Sequence, residues 1–248
     1  MKLSDFFVQN PNVAIAFSGG VDSAYLLYAA LQFGAEVKAY YVKSAFQPQF
    51  ELEDALRLSE QLQVDLTVIE KDILASGMIA GNPPDRCYHC KKVLFEAIMK
   101  AAWEDGFSVL LDGTNASDEE GDRPGMRAIR ELSVFSPLRL CGLTKEEIRR
   151  LSKEAGLFTW NKPAYACLAT RIPVGEEITE EKLAATEAAE AYLSALGFTD
   201  FRVRRMGNLA KLQVPESQIA RVIENRERIW QELKKYYAGA VLDLEPRK

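Results

Sequence analysis

The chain has 248 residues, of which 48% are hydrophobic, and this is enough to bury one α/β core together with a smaller second unit. Its formal net charge of −5 argues against a broad nucleic-acid-binding surface, and no apolar run approaches the roughly 20 residues that a membrane-spanning helix needs. Because residues 1–5 lack the pattern of a signal peptide, the sequence predicts a cytoplasmic protein that binds neither a membrane nor nucleic acid.

Strand and helix patterns alternate along the first two thirds of the chain. Apolar runs of strand length lie at residues 13–17, 37–42, 66–69 and 108–112. Helical patterns occupy residues 22–33, 49–62 and 91–104. A further helix is expected to begin after Thr144, which can form a capping box with Glu147, and to end near Glu154. The alternation predicts an α/β domain over residues 1–160, in which a parallel sheet has helices on both faces.

A glycine turn joins the first predicted strand to the first predicted helix. It comprises Ser18, Gly19, Gly20, Val21, Asp22 and Ser23. The two glycines let the backbone adopt conformations closed to other residues, and the free N–H groups at a helix start attract an anion. We interpret the turn as a phosphate-binding loop, distinct from a Walker loop because the Gly-Lys-Ser/Thr ending is missing. The alternative is an ordinary strand-to-helix turn that Asp22 or Ser23 caps.

A second group of polar residues follows the fourth predicted strand. It consists of Asp112, Gly113, Thr114, Asn115, Asp118, Asp122 and Arg123. The glycine and the small hydroxyl permit close approach of a ligand, and the carboxylates could hold Mg²⁺ against phosphate oxygens. An acidic surface loop is the alternative interpretation. Lys43, just after the second strand, is expected either to lie near the nucleotide or to cap the sheet edge.

The cysteines suggest sulfur or metal chemistry. Cys87 and Cys90 form a Cys-x-x-Cys pair at a predicted helix start, where the helix dipole and basic neighbours are expected to lower the pKa of both thiols. A structural zinc site, a redox pair and an iron–sulfur cluster are all open uses. Zinc normally takes four ligands, and His89 between the two cysteines is poorly placed to join them. A cluster held by only three cysteines leaves one iron open, which suits sulfur delivery. Cys141 is expected to be a small buried apolar residue.

The sequence pattern changes after residue 160. Residues 161–175 form a predicted connector that carries Cys167, and residues 176–248 form a predicted small α+β domain. In that domain helices are expected at residues 179–196 and 216–237, and strands within 201–214 and at 240–244. Arg202 and Arg204 alternate along one strand, so both guanidinium groups could grip a single phosphate. A solvated strand edge is the alternative.

Motifs spread over nearly the whole chain resemble those of the LarE family of ATP-dependent sulfur transferases. They lie in the family's order, at residues 18–23, 86–91, 112–115, 122–125, 165–171 and 202–204. Members of this family are PP-loop enzymes, which cleave ATP between its α and β phosphates. The resemblance implies that ATP and Mg²⁺ bind at the glycine turn and the polar group, and that Asp22 is catalytic. It also implies a homo-hexamer.

The resemblance further implies a substrate and a reaction. A carboxylate of pyridinium-3,5-biscarboxylate mononucleotide would be activated as an acyl adenylate, pyrophosphate released, and AMP displaced by sulfur, during synthesis of the nickel-pincer nucleotide cofactor. Arg202 and Arg204 would bind the phosphate of the mononucleotide. In family members with three cysteines, which Cys87, Cys90 and Cys167 would match, a [4Fe-4S] cluster carries the sulfur, and its sulfide source is unknown. In members with one, matching Cys167, that cysteine gives up its own sulfur.

Other functions stay open at this point. A PP-loop tRNA thiolase uses similar adenylation and a three-cysteine cluster, but a basic RNA-binding appendage is expected in it and none is visible. Amide-forming PP-loop ligases share residues 18–23 and have no use for the cysteine set. A regulatory module that binds ATP without turnover is the non-enzymatic alternative, and pyrophosphate release would exclude it.

Overall fold

The structure is a computed structural model that describes residues 1–118 and 124–247. Asp122 and Arg123, which the sequence analysis placed in the nucleotide site, lie outside the described residues. The chain divides into two compact units. The first contains Met1–Ile73 and Asp85–Lys162, and the second contains Leu74–Pro84 and Pro163–Lys248. The short segment before the cysteine pair therefore belongs with the C-terminal residues.

Both units contain helices and strands. In chain order the elements are α1 (Leu3–Gln9), β1 (Asn12–Ala16), α2 (Val21–Gln32), β2 (Glu36–Lys43), α3 (Gln49–Leu62), β3 (Leu66–Glu70), α4 (Gly77–Ala80), α5 (Arg86–Glu104), β4 (Leu110–Leu111), α6 (Pro124–Glu131), α7 (Pro137–Leu140), α8 (Lys145–Glu154), α9 (Glu180–Ala195), β5 (Arg202–Met206), β6 (Leu209–Gln213), α10 (Ile219–Glu224), α11 (Arg226–Leu233) and β7 (Gly239–Leu242). In the described ranges no helix has the length and apolar character to cross a membrane.

The strands of the first unit form a parallel sheet in the order β3-β2-β1-β4. Strand β4 is shorter than the predicted strand at 108–112. The residues on either side of β4 still form backbone hydrogen bonds. The Ala14 N–H donates to the Val109 carbonyl at 2.8 Å, and the Asp112 N–H donates to the Phe135 carbonyl at 2.9 Å. The β1 and β4 ends therefore lie side by side at the carboxyl edge of the sheet, where ligands bind in folds of this class.

Both faces of this sheet are covered, as the sequence predicted. Val13 and Ile15 of β1 pack into a core that includes residues of α2, α3 and α8. Ala14, between them, points to the opposite face and packs with residues of α5 and α6. A strand that is buried on both sides must be apolar at successive positions, and this explains the uninterrupted apolar run in β1.

The predicted capping box of α8 is confirmed. The Glu147 N–H donates to the Thr144 Oγ1 at 3.3 Å, and the Thr144 N–H donates to the Glu147 carboxylate at 2.9 Å. These bonds satisfy two N–H groups that the helix start leaves without partners. They also fix the first residue of α8, Lys145.

Replacing Thr144 by Ala is expected to lower the free energy of unfolding by about 1 kcal/mol, the usual cost of losing an N-cap. Urea denaturation followed by circular dichroism measures this difference. Thr144→Ser keeps the hydroxyl and should retain most of the stability. An equal loss in the Ser and Ala variants would show that the methyl group, and not the cap, stabilises the helix.

The second unit contains a small sheet and the predicted terminal strand. Strands β5 and β6 form an antiparallel hairpin, and β7 joins β6 in parallel, so the α/β unit is followed by a small α+β unit. The single helix predicted at 216–237 is wrong, because α10 and α11 are separated at Asn225. The Asn225 side-chain N–H donates to the Arg221 carbonyl at 2.9 Å, an interaction that competes with continued helix.

Candidate active site

The glycine turn lies directly against the N-terminus of α2. Gly20 is the N-cap of α2 and supplies no capping side chain, so the turn is not the Asp22- or Ser23-capped turn considered as the alternative. Gly19 has a φ of +69°, and a Cβ there would lie 3.1 Å from the Glu51 carbonyl oxygen of α3. The turn is closed by the Ser18 N–H, which donates to the Ser23 Oγ at 3.3 Å. The backbone N–H groups of the first helical turn are thus presented as an anion site.

The polar group after β4 meets this turn. A Cβ at Gly113 would lie 2.9 Å from the Ser23 backbone nitrogen, so only glycine fits there without displacement. Next to it the Asn115 side-chain N–H donates to the Asp22 Oδ1 at 3.3 Å. The Thr114 hydroxyl donates to the Asp112 carboxylate at 2.5 Å and so faces its own strand end. The fold therefore brings together two motifs that are about 90 residues apart in the chain.

Substituting Gly113 by Ala is expected to cost about 1–3 kcal/mol of stability, because the added methyl overpacks against the helix backbone. The same displacement should weaken the anion site, so pyrophosphate release from ATP should fall as well. Urea denaturation and a pyrophosphate assay measure the two effects. Gly77→Ala is the control, since a Cβ at Gly77 meets nothing within 4 Å. Equal behaviour of the two variants would contradict the close approach.

Asp22 pairs with a lysine that the sequence analysis missed. The Lys145 Nζ lies 2.5 Å from the Asp22 Oδ2. Burial raises the pKa of the Asp22 carboxyl and the nearby Asp118 charge adds to this, whereas Lys145 opposes it. A loop that binds polyphosphate without a lysine of its own needs cations from elsewhere. Lys145 supplies one, and its position as the first residue of a capped helix gave no sequence signal of this role.

A second lysine reaches the glycine turn from the end of the first unit. The Lys162 Nζ contacts the Asp54 carboxylate of α3 at 2.6 Å and donates to the Gly19 carbonyl at 3.3 Å. The Lys43 side chain makes a different contact. Its Nζ donates to the Gln47 carbonyl at 2.5 Å and closes the turn that follows β2. The structure therefore adds Lys162 to the residues that contact the turn.

Two carboxylates of the described chain are suited to Mg²⁺. Asp22 lies at the helix start, and the Asp118 charge acts on it. The Asp118 carboxylate accepts a hydrogen bond from the Asn115 N–H at 2.8 Å, and Arg139 donates to the backbone carbonyls of Asn115 and Asp118. Mg²⁺ in nucleotide sites is commonly held by one or two carboxylates together with phosphate oxygens. The donor set therefore fits this ion.

The cysteine pair lies on the first turns of α5. Helix α5 begins at Arg86, five residues before the predicted start at residue 91, so Cys87 and Cys90 are one helical turn apart on neighbouring positions of one face. Cys87 is exposed and Cys90 is buried. The Arg86 Nη2 lies 3.7 Å from the Cys87 Sγ as a donor. Cys141 is partly buried, and burial raises the pKa of its thiol, in keeping with an unreactive residue.

Cys167 lies in the second unit, immediately before a short 3₁₀ turn at Leu168–Arg171. Its carbonyl accepts hydrogen bonds from the Thr170 hydroxyl at 2.8 Å and from the Arg171 Nη1 at 3.3 Å. Within residues 1–118 and 124–247, no group of three or more His, Cys, Asp or Glu side chains is gathered as metal ligands. The predicted three-cysteine set is therefore divided between the two units.

Arg202 and Arg204 are not on a solvated strand edge. Arg202 is buried, and its Nη2 donates to the Ala164 carbonyl at 2.5 Å. Arg204 is half-buried, and its Nη1 donates to the Thr170 carbonyl at 2.9 Å. Burial lowers the pKa of Arg202 to about 10, and the positive charges of Arg171 and Arg247 contribute. The same causes lower the pKa of Arg204. Two further cations thus act on Arg202 and Arg204, and the Glu190 carboxylate partly offsets them.

The amino-acid sequence of this chain is similar to those of several known proteins. The family model described as "Queuosine biosynthesis protein QueC" matches residues 12–81, which contain the glycine turn. The pyridinium-3,5-bisthiocarboxylic acid mononucleotide synthase of Lactiplantibacillus plantarum is 34% identical over 224 residues, 90% of this chain and 81% of that protein. An uncharacterised protein of Synechocystis is 36% identical over 90% of this chain and 84% of its own length. The tRNA-specific 2-thiouridylase MnmA of Thermotoga petrophila is 29% identical over 60% of this chain and 54% of that protein.

Proposed function

Because this chain belongs to the LarE family of PP-loop, ATP-dependent sulfur transferases, we propose that it converts a carboxylate of pyridinium-3,5-biscarboxylate mononucleotide to a thiocarboxylate. The carboxylate oxygen attacks the α phosphorus of ATP, which forms the acyl adenylate and expels pyrophosphate. Sulfide sulfur then attacks the acyl carbon, and AMP leaves with the bridging oxygen. The observation that carries the proposal is the 34% identity to a synthase of the bisthiocarboxylic acid mononucleotide over 90% of this chain.

The first half of the reaction is supported by the arrangement around the glycine turn. The N–H groups at the start of α2 bind phosphate oxygens, and Lys145 and Lys162 bring positive charge to the same turn. Asp22 and Asp118 would hold Mg²⁺, which would supply positive charge to neutralise the departing pyrophosphate. Gly113, Thr114 and Asn115 complete the nucleotide site. We extend it to Lys43, because this residue lies at the carboxyl end of β2, and to Arg123, on the strength of the family resemblance.

The second half of the reaction needs a sulfur donor, for which we propose a [4Fe-4S] cluster on Cys87, Cys90 and Cys167. The one-turn spacing of Cys87 and Cys90 on α5 fits two ligands of one cluster. Such a cluster, when bound, leaves one iron without a protein ligand and can carry an extra sulfide there. If no cluster is present, the Cys167 thiol attacks the acyl carbon and displaces AMP to form a thioester. The Cβ–S bond then breaks with loss of the Cα proton, which leaves the thiocarboxylate on the substrate and dehydroalanine at position 167.

The substrate phosphate is proposed to bind at Arg202 and Arg204. Burial is the main cause of the lowered pKa of both guanidinium groups, and the positive charges of Arg171 and Arg247 also act on them, so a phosphate dianion would be attracted to this cluster of cations. Arg204 is the more accessible of the two and is the better direct ligand. We also propose that the chain assembles as the homo-hexamer that the family resemblance implies.

A tRNA 2-thiouridylase is the second candidate function, because the MnmA relatives share the adenylation and thiolation chemistry. The matched region covers 54% of the Thermotoga petrophila enzyme, and the net charge of this chain is −5. A weakly acidic chain is a poor match for the phosphate-rich surface of tRNA. The mononucleotide is therefore the favoured substrate.

Anaerobic purification followed by iron and sulfide analysis tests the sulfur donor, and pyrophosphate release with each substrate tests the reaction. About four irons per chain, lost in the single alanine variants of Cys87, Cys90 and Cys167, are expected for the cluster. Iron-free protein that loses the mass of one sulfur during turnover would identify Cys167 as the donor. Pyrophosphate release that depends on tRNA and not on the mononucleotide would overturn the proposed substrate.

A further inference from the structure

The backbone around Cys167 is held by three arginines of the second unit. We call residues 164–170 the Cys167 segment. Arg202 donates to the Ala164 carbonyl at 2.5 Å, the Arg171 Nη1 donates to the Ala166 carbonyl at 2.7 Å, and Arg204 donates to the Thr170 carbonyl at 2.9 Å. Each contact uses a main-chain carbonyl as acceptor. The segment is thereby attached to its unit at both ends and in the middle.

Arg171 is the central residue of this attachment and is fully buried. Its Nε and Nη2 donate to the two carboxylate oxygens of Glu190 at 2.9 and 3.0 Å. A buried guanidinium is tolerated when such a bidentate pair satisfies it. Glu190 also accepts from the Tyr165 hydroxyl at 2.6 Å and from the Val203 N–H at 2.8 Å. Glu190 therefore ties Arg171 to strand β5 and to the Cys167 segment together.

The remaining edge of the Arg171 guanidinium faces Cys167 itself. Its Nη1 donates to the Ala166 carbonyl, to the Cys167 carbonyl and to the Thr170 Oγ1. The Ala166 and Cys167 carbonyls belong to the two peptide planes that flank the Cys167 Cα. Fixing both planes fixes φ and ψ at Cys167, which are −54° and 151°, and therefore the direction of its Cα–Cβ bond, from which the thiol extends.

We infer that Arg171 is a positioning residue, which holds the Cys167 backbone and so fixes the direction of the Cα–Cβ bond that carries the thiol used in sulfur transfer. The inference rests on the proposed function, in which Cys167 takes part in sulfur transfer as a cluster ligand or as the donor. A lysine cannot replace Arg171, because one ammonium group cannot bond both Glu190 oxygens and both carbonyls at once.

The first test compares Arg171→Lys with Arg221→Lys in the full chain. Arg221 also donates to two backbone carbonyls of the second unit, those of Leu196 and Gly197, but far along the chain from Cys167. Reaction with iodoacetamide, followed by peptide mass mapping, gives the alkylation rate of Cys167 relative to Cys141. We expect this ratio to change at least about threefold in Arg171→Lys and to stay unchanged in Arg221→Lys, since small misplacements of a reacting group have large effects on rate.

A second variant keeps the test decisive if Arg171→Lys does not fold. Thr170→Val removes the hydroxyl that accepts from Arg171 and donates to the Cys167 carbonyl, with little change in volume. It should shift the same alkylation ratio. Turnover gives a further readout, namely about tenfold less thiocarboxylate per pyrophosphate released in either variant. An unchanged alkylation ratio in every variant that folds would overturn the inference.

The alkylation ratio needs neither ATP nor substrate. Its change in the two variants would therefore support the positioning role even if no thiocarboxylate were formed by the unmodified protein, a result that would overturn only the proposed function. Conversely, sulfur transfer by the unmodified protein together with an unchanged ratio would overturn only the role of Arg171.

Discussion

Asp22→Asn is expected to lower pyrophosphate release from ATP by at least about 100-fold, the usual scale for loss of one strong electrostatic contact in an active site. Asn preserves the volume of Asp and its carbonyl oxygen can still accept from Asn115. It removes the negative charge that pairs with Lys145 and that we propose to hold Mg²⁺. The measurement is steady-state pyrophosphate release at saturating ATP and mononucleotide.

The same variant should stay folded. Burial raises the pKa of Asp22, so its charged form is disfavoured in the folded chain, and its contribution to stability is lost as pH rises through the raised value. Asn carries no such cost, and Lys145 is exposed enough for water to solvate it. Asp105→Asn is the matched control, because Asp105 also pairs with a lysine, Lys38, at 2.7 Å. Undiminished pyrophosphate release in Asp22→Asn would contradict the assignment of the glycine turn.

The pH dependence of the unmodified protein follows from the same shift. The ionised Asp22 carboxylate is the form that we propose to hold Mg²⁺, and its raised pKa means that it is protonated at a higher pH than an ordinary aspartate. Acidification should therefore reduce pyrophosphate release before exposed carboxylates titrate.

Cys167→Ala is expected to reduce thiocarboxylate formation to background and to leave adenylation in place. The variant removes the thiol and keeps the backbone, whose carbonyl contacts to Thr170 and Arg171 do not involve the side chain. Pyrophosphate release should therefore continue, with AMP and the unchanged carboxylate formed as water hydrolyses the acyl adenylate. Both products can be followed by liquid chromatography with mass spectrometry.

Two comparisons sharpen this expectation. Cys141→Ala should retain full sulfur transfer, because Cys141 is a partly buried residue packed against the core of the first unit. Cys87→Ala and Cys90→Ala should abolish repeated turnover if a cluster carries the sulfur, and should permit a single turnover if Cys167 is the donor. Thiocarboxylate formed at the normal rate by Cys167→Ala would exclude Cys167 from both roles.

Local patterns in the sequence predicted most of the strands and helices of the first unit, but not the strand order that makes its two motifs meet. The apolar run of β1 and the glycine turn after it predicted a strand that ends at a turn before a helix, and Gly113 was predicted at the end of another strand. Because β1 and β4 are neighbours in a parallel sheet, their ends had to meet. The approach of Gly113 to the Ser23 backbone at 2.9 Å required the three-dimensional structure.

The lysines of the site could not be predicted in this way. Lys145 reaches Asp22 across 123 residues of sequence, and no local pattern distinguishes it from other lysines at helix starts. The burial of Arg202 was likewise hidden, because alternation along a strand shows which residues share a face and not what covers that face. The break between α10 and α11 depends on one side-chain contact of Asn225, which helical periodicity does not register.

The arginine contacts to the Cys167 segment determine which changes at Cys167 the local backbone can accommodate. The arginines bond main-chain carbonyls, which every amino acid possesses, so a change of the Cys167 side chain leaves these bonds in place. The position of Cys167 can therefore be occupied by a residue of different chemistry without loss of the local backbone.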